Sequence, residues 1–265
     1  MLVAGSYYFS MKLRFSNQPS SVRGRAFGLL FIALASACHS GGAFEPANPH
    51  PLPVIQLRSD WREIEPITFE HMVDELLPLD SMSAFEPTTF AELSTALDAA
   101  APFNVRAAVL LTRAGTADCA EALLMRLEKR VNGPDRSSDA GDVVAAAGLA
   151  DLELETSQIQ RLASLSVGTA PHPDLEARVE IARTALRHGQ DTVIPFLISV
   201  LRIGTRASRR SGEFWPAPLR SAWARERAAE ILSWRSGLEK RFSADASISD
   251  RETEANRYEQ ALLGS

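Results

Sequence analysis

The chain has 265 residues, 45% of them hydrophobic, and a formal net charge of −5. That length holds one domain and a leader, and the acidic balance argues against nonspecific nucleic-acid binding. Alanine and leucine dominate and alternating β-branched runs are scarce, which predicts an all-α fold.

Residues 1–10 fit poorly with the stretch after them, and Met11 reads as the true start. From there a basic stretch (Lys12, Arg14, Arg23, Arg25) leads into the apolar run Ala26 to Ala37, the pattern of an export signal. Twelve apolar residues are too few for a membrane span, which takes about 20. Removing residues 1–37 takes four of the 28 basic residues and none of the 33 acidic ones, so the remainder carries −9.

The run closes Leu34-Ala35-Ser36-Ala37-Cys38 and resembles the lipobox of bacterial lipoproteins, in which the cysteine is diacylated and becomes the new N terminus. The resemblance implies lipidation at Cys38. The chain departs from the preferred box by carrying alanine three places before the cysteine, and Ala35-x-Ala37 also suits ordinary signal peptidase. The second cysteine, Cys119, falls in a helical stretch and reads as a small buried thiol that does not pair with Cys38.

Residues 38–57 are rich in Pro, Gly and Ser and read as a flexible tether. Residues 58–88 form an acidic N-terminal capping segment. Within it Ile67 to Leu77 predicts a helix with Phe69, Met72, Val73 and Leu76 on one side. Thr89 to Glu92 reads as a capping box opening another helix, and residues 89–265 as the main domain.

Val105 to Leu127 predicts a hairpin of two short helices. Asn104 caps the first, Gly115 ends it in the left-handed conformation, and Thr116 caps the second, which buries Ala120, Leu123, Leu124 and Leu127. The same pattern returns without a gap at an offset of 74, in Val179 to Leu201, with Gly189 at the place of Gly115. Val143 to Leu165 fits between them, with Thr156 or Ser157 as a cap, and RAAEIL from Arg227 repeats RAAVLL from Arg106. A period of about 37 to 40 residues built of helix pairs lies in the range of α-solenoids. These stretches, VRAAVLLTRAG…AEALLMRLE and ARVEIARTALRHGQDTVIPFLISVLR, resemble bacterial HEAT repeats of the short type also found in phycobilin-lyase-like proteins. The resemblance spans roughly Phe90 to Gly237 and implies an α-solenoid of about four HEAT-like helix pairs with helical caps. A non-repetitive bundle is the competing reading.

The linkers Gly133 to Gly141 and Ser166 to Asp174 read as loops between repeats, and Ser249 with Glu252 as the box opening a last helix that turns Tyr258, Leu262 and Leu263 inward. His188 reads as a cation at a helix C terminus, and Arg178, Arg183 and Arg187 as a solvated face.

No chemistry-bearing motif emerges. None of the five histidines falls in HxH, HExxH or a Cys/His cluster, so no metal site is expected, and there is no phosphate loop or G-x-S-x-G. The His-Glu pairs of HEAT-type deoxyhypusine hydroxylases are missing; only Glu70-His71 occurs, reversed and outside the repeats. The one stretch that stands out is Gly204 to Ser221, with Arg206, Arg209, Arg210, Phe214, Trp215 and Arg220 in an otherwise acidic protein. Arginine and tryptophan are enriched in binding hot spots, while the plainer reading packs the two aromatics back on their own domain.

The sequence therefore predicts a non-enzymatic scaffold of the bacterial envelope, lipid-anchored and facing the periplasm or exterior. It would need no cofactor and would bind a protein partner whose identity the residues do not give. The alternative is an exported helical enzyme, of hydrolase or lyase type, with its site in the solenoid concavity.

Overall fold

The computed structural model describes residues 52–77, 82–133, 139–204, 218–243 and 246–264. Ten α-helices and one pair of two-residue strands make up the regular structure of these residues, so the all-α expectation holds. In order they are β1 (Val54–Ile55), α1 (Pro66–Leu76), β2 (Ala84–Phe85), α2 (Pro87–Ala96), α3 (Phe103–Ala114), α4 (Ala117–Asn132), α5 (Ala140–Leu149), α6 (Thr156–Val167), α7 (Leu175–Arg187), α8 (Ile194–Leu201), α9 (Pro218–Ser236) and α10 (Ile248–Leu263), with a 3-10 turn at Asp191–Val193 before α8. The strands pair in parallel, Val54 with Ala84 and Ile55 with Phe85. Ile55, read from sequence as tether, is buried there, so ordered structure begins before residue 57.

The hairpin forms where the sequence placed it. Gly115 closes α3 with φ +75°, and Thr116 caps α4 by accepting the amide of Cys119. Several predicted boundaries move. Asn104 lies inside α3, buried, and does not cap it. Glu155, not Thr156 or Ser157, caps α6 through a reciprocal pair with Gln158. α2 starts at Pro87, because proline suits the first turn of a helix, and Glu92 accepts Trp61 Nε1 at 3.2 Å instead of completing a box. Ser247 replaces Ser249 as the cap of the last helix, where Tyr258 is buried but Leu263 faces water. The repeat expected to open at Arg227 is the middle of α9, which begins nine residues earlier.

Packing follows one rule through the domain. α3 packs on α5, α5 on α7 and α7 on α9, while α4 packs on α6 and α8 on α10. The second helix of each pair lies more against the first helix of the next pair than against its own partner. The first helices are consequently buried on almost every side; all of α5 from Gly141 to Leu149 is covered. The second helices keep a wet face, and α4 buries only Cys119, Ala120, Leu123, Leu124 and Leu127.

α5 fits because its side chains are small. A Cβ added at Gly148 would lie 2.0 Å from Thr112 Oγ1, and one at Gly141 would lie 2.6 Å from Asn104 Cγ. The two glycines, one near each end of α5, let it approach α3 closely. Gly148→Ala is expected to lower stability by about 1 to 3 kcal/mol through overpacking, read as a lower urea midpoint. In a Thr112→Ala background the same change is expected to cost less, because the contacts with Thr112 Oγ1 and Cγ2 are gone and only the one with Cβ, at 3.0 Å, remains.

Candidate functional site

Cys38, Arg206, Arg209, Arg210, Phe214 and Trp215 lie outside the described residues. Arg220 lies in the first turn of α9, its side chain outside the described set. The structure brings together a different group of residues.

Asp142, in the first turn of α5, has no exposure. Its two oxygens accept from Arg126 Nε at 2.9 Å and Arg130 Nε at 2.8 Å, both reaching over from α4. Arg126 spends its other nitrogens on Asp98 at 3.0 Å and Asp139 at 2.6 Å, and Lys129 also pairs with Asp98. Asp139 caps α5 through the amide of Gly141 and accepts Asn104 Nδ2 at 2.7 Å. Its own amide donates to Asp174, the cap of α7, at 3.1 Å. His172, in the loop before α7, is 2% exposed. Its Nδ1 accepts the Asp174 amide at 3.2 Å, so the neutral ring carries its proton on Nε2, 3.6 Å from Asp142 Oδ2. That distance is too long for a direct hydrogen bond.

Burial pushes the Asp142 carboxyl up to about 6, against the pull of Arg126 and Arg130. At neutral pH it is therefore ionised, as two guanidinium donors require. Burial also pushes His172 down to about 4, leaving it uncharged at the same pH. The cluster thus joins three successive helix pairs, the first to the second through Asp142 and Asp139 and the second to the third through the Asp139 amide on Asp174. The two oxygens of Asp142 are already taken by arginines. Among the described residues no group of three His, Cys, Asp or Glu could hold a metal ion.

A second joint lies one pair further on. Glu180 of α7 takes Arg227 Nε of α9 at 2.5 Å and sits 2.8 Å from Arg183 Nε. Arg183 Nη2 donates to the carbonyl of Ala147 and Thr184 Oγ1 to that of Ala146, at 3.1 and 2.8 Å. Arg183 is 8% exposed, so the predicted solvated face of α7 is in part an interior one. Arg178 and Arg187 are half-buried, the first over the Phe196 ring, 4.1 Å away, and the second paired with Asp151. His188 stands at the C-terminal cap of α7, where burial first, and then Arg187, push its imidazole down.

At the N-terminal ends of the first helices such bonds recur at a constant spacing. Asn104, Asp139 and Asp174 are 35 residues apart and bonded in sequence at the N-terminal ends of α3, α5 and α7. At the C-terminal ends, Arg113 pairs with Asp74, Arg187 with Asp151 and Arg235 with Asp191. Sequence reading missed this. The available signal was Asp142, a lone charge in the run AGDVVAAAGL.

The open surface near the first joint is different in kind. On the wet side of α4 and α6, Arg161 binds Glu121 and Glu128 at 2.7 to 2.9 Å. Beside it lies an open depression of 570 Å³, lined among others by Glu128, Gln160, Arg161, Ser164 and Thr169.

Arg126→Ala is expected to cost about 3 to 5 kcal/mol in urea unfolding, because it strands buried Asp142 with one guanidinium fewer. Arg161→Ala, on the solvated side, is expected to cost less than about 1 kcal/mol. In comparisons with known proteins, the chain matches no family model, no curated protein and no solved structure.

Proposed function

We propose that the chain is a HEAT-like α-solenoid that serves as a non-enzymatic, lipid-anchored interaction scaffold of the bacterial envelope. The observation that carries the repeat reading is the succession of helix pairs bonded end to end at near-constant spacing, Asn104 to Asp139 to Asp174 on one side and Arg187 to Asp151 on the other. A solenoid needs such contacts, because each pair touches only its neighbours and cannot cover its apolar sides alone.

The polar residues brought together in the interior favour a scaffold over an enzyme. Asp142 and Glu180 are engaged by arginines in the joints between pairs, whereas a catalytic carboxylate must reach a substrate. What remains open is the face of the second helices, with its shallow depression beside Arg161. Extended binding surfaces of this kind suit protein partners in stacked-helix folds. The anchor rests on the lipobox-like residues before Cys38, and no described helix is long and apolar enough to cross a membrane.

The deciding experiment is mass spectrometry of the protein from its native envelope, with co-purifying proteins identified after crosslinking. The expected product begins at a diacylated Cys38 and brings down a defined protein partner, while Cys38→Ala moves to the soluble fraction. An unmodified Cys38 on a membrane-free protein refutes the anchor. Recovery of no partner after crosslinking counts against the scaffold.

A further inference from the structure

We infer that the outer edge and outer face of the β1/β2 pair form a docking surface for an extended, basic segment of a partner protein, which adds to β1 as a third strand. The pairing pattern exposes the edge. In the parallel register that sets Val54 against Ala84, the Ala84 amide donates to the carbonyl of Pro53, so the amide and carbonyl of Val54 point away from β2. Neither is bonded among the described residues, and their sheet has no third strand. Pro53 lacks its N–H on the side of β2, so it does not block the outer edge. The face beside that edge is open as well. Ile55 and Phe85 turn inward, whereas Val54 is 61% and Met82 55% exposed, and Leu52, two places before Val54, is also exposed. An open strand edge with an apolar row next to it is the template on which added strands pair.

Charge decides the occupant. The described residues from Leu52 to Glu92 hold eight carboxylates against two arginines. Asp60, Glu92 and Asp74 are paired, with Arg58, Arg62 and Arg113. Glu63, Glu65, Glu70, Glu75 and Glu86 form no ion pair among the described residues. Further along the chain the buried acids are paired, Asp142 and Glu180 each with arginine. Glu86 follows β2 directly, two places after Ala84, so one of the unpaired charges borders the open face. A second copy of the chain would bring the same negative charge to the same edge, and an anionic leaflet is repelled likewise. A basic strand brings the charge that this segment lacks. The inference rests on the scaffold reading and adds to it a contact apart from the second-helix face, with the chemistry of the partner there.

The test uses the full chain in mild detergent and a short fluorescent peptide of alternating valine and lysine, with a valine–glutamate peptide as control. The valine–lysine peptide is expected to bind saturably, to weaken as salt is raised, and to slow hydrogen exchange at the Val54 amide. Val54→Pro removes the outward N–H and leaves the groups that pair with β2. Its affinity is expected to fall at least about fivefold, the equivalent of one lost hydrogen bond, with an unchanged circular dichroism spectrum. Equal binding by wild type and Val54→Pro, or equal binding of the two peptides, overturns the inference. So does protection of Val54 in the chain alone with dimers that form on concentration, which makes a second copy the occupant, and so does protection by phosphatidylglycerol vesicles but not by the peptide. Should Val54→Pro fail to fold, valine–lysine peptides N-methylated on one or the other alternate set of amides decide. Loss of binding with one set and not the other supports an added strand, and any other pattern overturns it. A native partner that crosslinks only to the second helices overturns this inference and leaves the scaffold reading standing.

Discussion

Asp142 is a fully buried carboxylate in a helix otherwise made of Ala, Gly, Val and Leu. A charge in that position is tolerable only with several donors around it, and none of the side-chain donors comes from its own helix. Arg126 and Arg130 reach it from α4. Arg126 is itself divided among Asp98, before α3, and Asp139 and Asp142, at the start of α5. Arg126 therefore fixes Asp98, Asp139 and Asp142 relative to one another. The placement of one helix pair on the next is settled at these points as much as by apolar contact.

The apolar contact alone leaves something undetermined. α5 presents Gly141 and Gly148 to α3, which allows close approach. A face of glycine and alanine offers few knobs to fix how far one helix has slid along the other. The polar bonds supply that register at both ends of the first helices. Asn104, Asp139 and Asp174 tie the N-terminal ends together, and Arg187 with Asp151 ties a C-terminal one. Sliding by one turn, about 5.4 Å, would break all of them at once and leave Asp142 and Glu180 buried without partners. Such groups contribute more by penalising wrong arrangements than by stabilising the right one.

This division explains what the sequence disclosed. The 3.6-residue period of the second helices, half wet and half buried, exposes Leu123, Leu124 and Leu127 as core, and Gly115 with Thr116 marks a turn by local chemistry alone. The first helices mislead. Charges spaced along α7 look like a solvated face whether they meet water or a carbonyl 36 residues away, and Arg183 meets Ala147 O. The caps shift for a related reason: Glu155 competes with Thr156 and Ser157 for one role, and the winner depends on whether Gln158 can reach back. The joint around Asp142 needs residues 98, 126, 139, 142, 172 and 174 together. No local window contains them, although a lone aspartate in an alanine-rich helix signalled that partners were required.

The N-terminal end shows how the same device attaches a segment that is not a helix pair. Residues 58–64 form turns without regular structure, so several of their carbonyls have no backbone partner. Arg106 of α3 supplies the donors: its guanidinium bonds the carbonyls of Trp61, Arg62 and Ile64 at 2.6 to 2.9 Å and lies 5.0 Å from the centre of the Phe69 ring. Trp61 is thereby held at 1% exposure, where it covers the end of the first pair. An apolar residue at position 106 could bury as much surface, but it would strand three carbonyls, at a cost of about 1 to 3 kcal/mol for each one buried. α3 thus holds this segment at two places, by Arg106 on its turns and by Arg113 on Asp74, as the pairs behind it are held by the joints at Asp142 and Glu180.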